Sequence, residues 1–103
     1  MNDIMREMII KKLYHVFNIG DDEDHVTEEE FVKRVFRGWT SSVHIADDKI
    51  TREAFGMDWE NIVILVDFCK ENGLKFDVNE SKNRGMCWIE IRSAIVRDEK
   101  NGR

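Results

Sequence analysis

Acid–base chemistry needs carboxylates, and their densest supply in this 103-residue chain is the run Asp21-Asp22-Glu23-Asp24, followed closely by Glu28-Glu29-Glu30. Residues 21–30 hold seven carboxylates and no Lys or Arg. Carboxylates are so frequent elsewhere in the chain that no catalytic pair stands out, and glycosidase-type geometry cannot be read from them. His15, His25 and His44 are dispersed, with neither the paired spacing of a zinc site nor a cysteine at ligand distance in sequence. Ser41, Ser42, Ser81 and Ser93 lie in no nucleophile elbow, and no glycine-rich stretch could cradle a phosphate. Cys69 and Cys87 have no nearby histidine and read as buried free thiols. The expectation is a chain without catalysis, cofactor or bound metal.

Two resemblances test that reading. Leu13-Tyr14-His15-Val16-Phe17 followed by Val26-Thr27-Glu28-Glu29-Glu30-Phe31 resembles part of a calcium-binding helix-loop-helix hand. Counting back from Glu30 through a twelve-residue loop puts Ile19 at the first oxygen ligand and Asp24 at the turn glycine, so a ligand and the sharp bend are both lost. Gly56-Met57-Asp58-Trp59 before an apolar helix resembles the helix entry of acyl carrier proteins, but Trp59 stands where the arm-bearing serine belongs. Neither function carries over.

Composition bounds the rest. Apolar residues form 42% of the chain and charged residues 36%, a balance that supports one core and one domain, residues 1–97, with a frayed polar tail at 98–103. No apolar run approaches the roughly 20 residues of a membrane span, and Met1-Asn2-Asp3-Ile4-Met5-Arg6-Glu7 lacks a secretory signal's apolar segment. The expected location is the cytoplasm, with no membrane partner. The net charge of -5 is unevenly spread, since residues 81–103 carry six basic side chains against three acidic. That balance provides no general field for phosphate binding, so any nucleic-acid contact would fall to the C-terminal third.

The elements that must position these groups follow from spacing. Met5, Ile9, Ile10, Leu13, Val16 and Phe17 recur at helical spacing over residues 2–18. A second helix starts at Thr27, whose hydroxyl can cap it while Glu30 closes a capping box and Val26 staples onto Phe31. Asp47-Asp48-Lys49-Ile50-Thr51-Arg52-Glu53-Ala54-Phe55 repeats the order Asp, aliphatic, Thr, Glu, Phe and reads as another helix start, punctuated at Gly56. Asp58 is the candidate cap of a helix over 59–72, apolar enough all round to be central. Trp39 and Trp59 are expected in the core.

After Gly73 the period becomes two. Leu74, Phe76 and Val78 alternate with polar residues, Glu80–Gly85 forms a turn, and Met86–Arg92 alternates again, giving a β-hairpin. Cys87, Ile89 and Ile91 should face the core, with Met86 and Trp88 outward. The expected class is α+β: three to four helices packed on a C-terminal β-hairpin. This element order resembles that of winged-helix DNA-binding domains, and the turn Lys82-Asn83-Arg84-Gly85 has the charge a wing needs.

These surfaces point first to recognition of another protein. Asp21, Asp22, Glu23 and Asp24 would meet a basic partner surface, and Met86 and Trp88 would supply an apolar anchor. Such a protein could regulate or inhibit its partner, as bacteriophage or bacterial accessory factors do, and could pair with a second copy. The alternative is a DNA-binding regulator using Lys82, Arg84 and Arg92. Against it, the helix before the hairpin presents mainly Glu60, Asp67, Lys70 and Glu71.

Overall fold

The change of period at Leu74 marks a structural boundary, and a second, less legible one occurs earlier. The computed structural model describes residues 1–17, 26–55 and 57–93. Their order is α1 (Asp3–Phe17), α2 (Glu28–Phe36), β1 (Val43–Ile45), β2 (Lys49–Phe55), α3 (Trp59–Glu71), β3 (Leu74–Glu80) and β4 (Met86–Ser93). The strands form one antiparallel sheet in the order β1-β2-β4-β3. The class is α+β, and the C-terminal hairpin is present as β3 and β4. The tail at 98–103 lies outside the described residues.

The helices follow local chemistry closely. The α1 stripe buries Ile9, Ile10 and Leu13 completely, with Met5, Val16 and Phe17 packed at its margins. At α2 the Thr27 hydroxyl accepts from the Glu30 amide at 3.1 Å, satisfying one of the donors a helix start leaves open. The other half of the capping box is replaced, because the Glu30 carboxylate accepts instead from Arg34 Nε one turn on, at 3.3 Å. Asp58 holds the N-cap position of α3 without a side-chain capping bond. Gly73, at φ 67°, supplies the left-handed residue that turns α3 into β3.

Residues 49–55 are a strand, not a helix start. Ile50, Arg52 and Ala54 point inward while Lys49, Thr51, Glu53 and Phe55 point outward. The charged Arg52 at the middle inward position hides the period of two, and seven residues of pairing with β4 override the helical cue. The β1–β2 hairpin consequently stands between α2 and α3, interrupting the helix, helix, helix, hairpin order.

Three further expectations change with it. The central helix is α1, which touches α2, α3 and β2; α3 lies at the β3 side with Val63 41% exposed. Trp39 and Trp59 are on the surface, at 67% and 75% exposure. Trp39 follows the end of α2, where its ring stacks under the Arg37 guanidinium at 5.0 Å, and Trp59 opens α3 before the chain has turned onto the core.

The core lies between the helices and one sheet face, where Ile50, Ile89 and Ile91 meet Ile9, Leu13, Phe31 and Leu65. Arg52 is buried among them at 2% exposure. Its guanidinium donates to the Phe17 carbonyl at 3.3 Å and lies 5.4 Å from the Phe17 ring and 5.9 Å from that of Phe31. A charge this deep needs such polar and π contacts to offset lost hydration.

Candidate functional site

Because side chains alternate across a sheet, the register that buries Ile50, Ile89 and Ile91 also fixes what the opposite face displays. That face reads as cross-strand rows. Phe55 pairs with Met86; Glu53, Trp88 and Asn79 form the next row; Thr51, Glu90 and Asp77 follow; Lys49, Arg92 and Lys75 form the last. One end is thus apolar and the other ionic.

At the apolar end, Trp88 is half-buried and its ring lies 5.5 Å from that of His44 on β1, tilted by 44°. Phe55 is 75% exposed. Its ring occupies the space beside Gly85, where a Cβ would come within 3.0 Å of Cε1. Met86 is half-buried beside it. Met86 and Trp88 therefore point outward as their alternation implies, and Cys87, Ile89 and Ile91 point inward.

The turn joining β3 to β4 is tied back to β2. Glu53 accepts from the Ser81 hydroxyl and, at 2.7 Å, from Asn83 Nδ2, while the Asn83 amide donates to Ser81 Oγ at 3.1 Å. This brace presents Lys82 and Arg84 at the exposed tip. Arg92 is far along β4 from that tip and is engaged by Asp77 at 2.9 Å and by Glu90 at 3.8 Å. The three basic residues are thus split between two places. Lys49 also pairs with Glu90, at 3.3 Å, so Lys49, Glu90, Arg92 and Asp77 form a network at the ionic end that Lys75 does not join.

No family model matches the chain, nor does any curated protein or solved structure.

The acidic run Asp21, Asp22, Glu23 and Asp24 lies outside the described residues, as does His25. Its neighbours are described. The Tyr14 hydroxyl donates to the Val26 carbonyl at 2.8 Å, and His15 Nε2 meets Glu28 Oε2 at 2.7 Å, so α1 anchors the entrance to α2. Between these helices runs an open groove of about 510 Å³ that mixes Glu7, Glu28 and Glu29 with Lys11 and Lys33. The Lys11 ammonium bonds Glu7 at 3.0 Å, and that hydrogen bond, with the charge of Glu7, raises its pKa.

Among the described residues, no group of three or more His, Cys, Asp or Glu side chains is placed to hold a metal ion. Both cysteines are free; Cys69 is buried and Cys87 half-buried, its Sγ 4.0 Å from Met57 Sδ. Burial pushes the Cys69 thiol up to about 11 and raises that of Cys87, which disfavours the thiolate in both. Among the described residues, no helix is long and apolar enough to cross a membrane.

Phe55, Glu53 and His44 are the surface residues that sequence reasoning missed. Each depends on recognising β1 and β2. The available signal was only the β-branched Ile50-Thr51 pair, since Arg52 interrupts the apolar alternation between Ile50 and Ala54.

Proposed function

We propose that this chain is a non-catalytic protein-binding module that docks a partner protein on the sheet face opposite the core. The observation that carries this reading is the outward cluster of Trp88, Met86 and Phe55 at one end of that face. Trp is enriched in interface hot spots, and Met and Phe are enriched in interface cores; here half-buried Trp88 and Met86 adjoin the exposed Phe55 ring. The net charge of -5 and the acidic sequence 21–30 favour a partner with a basic surface, with complementarity acting on association rate and selectivity. Regulation or inhibition of that partner, in the manner of bacteriophage or bacterial accessory proteins, is the role such a module would fill. Two free thiols suit a reducing, cytoplasmic setting.

The test is capture from lysate followed by mass spectrometry, comparing wild type with Trp88→Ala, with Phe55→Ala and with charge reversal at Asp21–Asp24. A polypeptide retained by wild type and lost from the aromatic variants supports the reading. Equal capture by all of them removes it.

Lys82 and Arg84, exposed together at the braced turn, favour a second reading in which the tip contacts duplex DNA. Opposing it, Glu53, Glu90 and Asp77 share the sheet face and α3 exposes Glu60, Asp67 and Glu71. Lys82→Glu with Arg84→Glu should weaken duplex binding and flatten its salt dependence. A wild-type protein that never retards DNA at low salt dismisses this reading.

A further inference from the structure

β3 is a seven-residue strand at the edge of the sheet among the described residues, and its outward peptide groups and side chains suit an antiparallel partner of the same sequence. Two bonds fix the phase of the peptide groups. Ser81 N donates to Met86 O at 3.3 Å, and Ser93 N donates to Asp48 O at 2.9 Å. The first directs the odd-numbered residues of β3 toward β4. The second directs the odd-numbered residues of β4 toward β2, leaving its even-numbered residues to bond β3, in agreement with the register. The N–H and C=O groups of Leu74, Phe76 and Val78 therefore point away from β4, and among the described residues no strand lies beyond them.

Edge strands are normally blunted by proline, bulges, brevity or charged side chains. β3, Leu74-Lys75-Phe76-Asp77-Val78-Asn79-Glu80, has no proline and is not short, and its charges Lys75 and Asp77 are of opposite sign, so they oppose some registers and favour another. Above it, α3 is apolar on its outer flank. Lys12 of α1 lies over the Phe68 ring at 5.5 Å, which places α1 on the Phe68 side of α3. Ile62, Val63 and Val66 lie roughly 120–160° around the helix from Phe68. Ile62 and Val66 are half-buried, Val63 is 41% exposed, and Val78 on β3 is 45% exposed.

We propose that β3 pairs antiparallel with β3 of a second copy about a two-fold axis at Phe76, joining two sheets into one of eight strands. In that register Phe76 faces Phe76 of the second copy, and Leu74 faces Val78, with their outward peptide groups forming about six hydrogen bonds. Charge selects the axis. On the opposite face Lys75 of each copy meets Asp77 of the other at the closely spaced, non-hydrogen-bonded positions. Moving the axis to Lys75 or to Asp77 would set that residue against its own copy. Asp77 already accepts from Arg92 at 2.9 Å and has lone pairs remaining for the incoming ammonium. The axis stands perpendicular to the sheet, so the α3 flanks approach on one side and both Trp88 faces stay open on the other. The result is a bivalent platform.

Sedimentation velocity across micromolar to millimolar concentrations tests the pairing. Wild type should shift from the 12.2 kDa chain toward twice that mass. Val78→Pro removes a donor that faces away from β4 and so spares the β3–β4 ladder; it should remain monomeric with an unchanged circular dichroism spectrum. Lys75→Asp and Asp77→Lys should each weaken dimerisation by about tenfold or more, and the double swap should restore it. If Val78→Pro does not fold, the charge-swap trio decides the matter. A wild type that stays monomeric at every concentration overturns the proposal. A dimer that persists in Val78→Pro, or that ignores both single reversals, overturns it equally.

Discussion

Arg52 stands opposite Ile89 across the β2–β4 ladder, and this pairing places a guanidinium in the middle of the apolar sheet face. Its carbonyl bond to Phe17 and its place between the Phe17 and Phe31 rings connect α1, α2 and the sheet through one side chain. Arg52→Ala removes both the packing volume of the long stem and these polar contacts. The expected loss is about 2–4 kcal/mol in unfolding free energy, read from urea denaturation. Arg52→Met keeps most of the volume and should lose less. Equal stability of the alanine variant and wild type would show that the guanidinium contributes nothing to the core.

The α2 cap gives a smaller, local effect. Thr27→Ala removes the acceptor for the Glu30 amide and should cost about 1 kcal/mol. Thr27→Ser retains the acceptor and should recover most of it. A thermal melt of both variants checks the difference.

Cys69 sets a stability change on the alkaline side. Burial raises its folded-state pKa to about 11 from the ordinary thiol value of 9.0, so the folded chain holds this proton more tightly than the unfolded chain. The stabilisation is therefore fully present below pH 9 and is lost progressively as pH rises through 11. Unfolding free energy should fall over that interval, and Cys69→Ala should remove this component of the slope. Chemical denaturation at pH 8, 9 and 10 measures it, and identical slopes in both proteins would exclude a contribution from Cys69.

What the sequence disclosed and what it concealed follow from how local each signal is. The Thr27 cap, Gly73, and the alternation of Cys87, Ile89 and Ile91 act over a few residues, and the structure uses them; of the capping box it keeps only the Thr27 half. β2 depends instead on pairing with β4, some forty residues away, and its inward Arg52 breaks the apolar pattern that would have announced it. With β2 hidden, the sheet face was visible only through Met86 and Trp88, while His44, Glu53 and Phe55 went unseen. Trp39 and Trp59 show the converse error. Their size suggested burial, but each occupies an element boundary where the described residues offer no opposing surface. Lys82, Arg84 and Arg92 were grouped by sequence and sign, whereas the length of β4 separates the last from the first two.

Gly85 and Phe55 supply the sharpest test of the apolar end of the sheet face. Gly85 adopts φ 79°, a left-handed conformation that costs a side-chain-bearing residue about 1–2 kcal/mol. Its Cβ would also stand 3.0 Å from Phe55 Cε1, so Gly85→Ala adds a steric cost unless the ring moves. Phe55→Ala removes the ring and leaves the backbone strain in place. The two substitutions should therefore be non-additive: Gly85→Ala should destabilise the Phe55→Ala background less than it destabilises wild type, by about 0.5–1 kcal/mol. A double-mutant cycle in urea isolates this coupling. Strict additivity would mean that the Phe55 ring does not rest on the turn in solution, and the apolar end of the face would lose the residue that closes it.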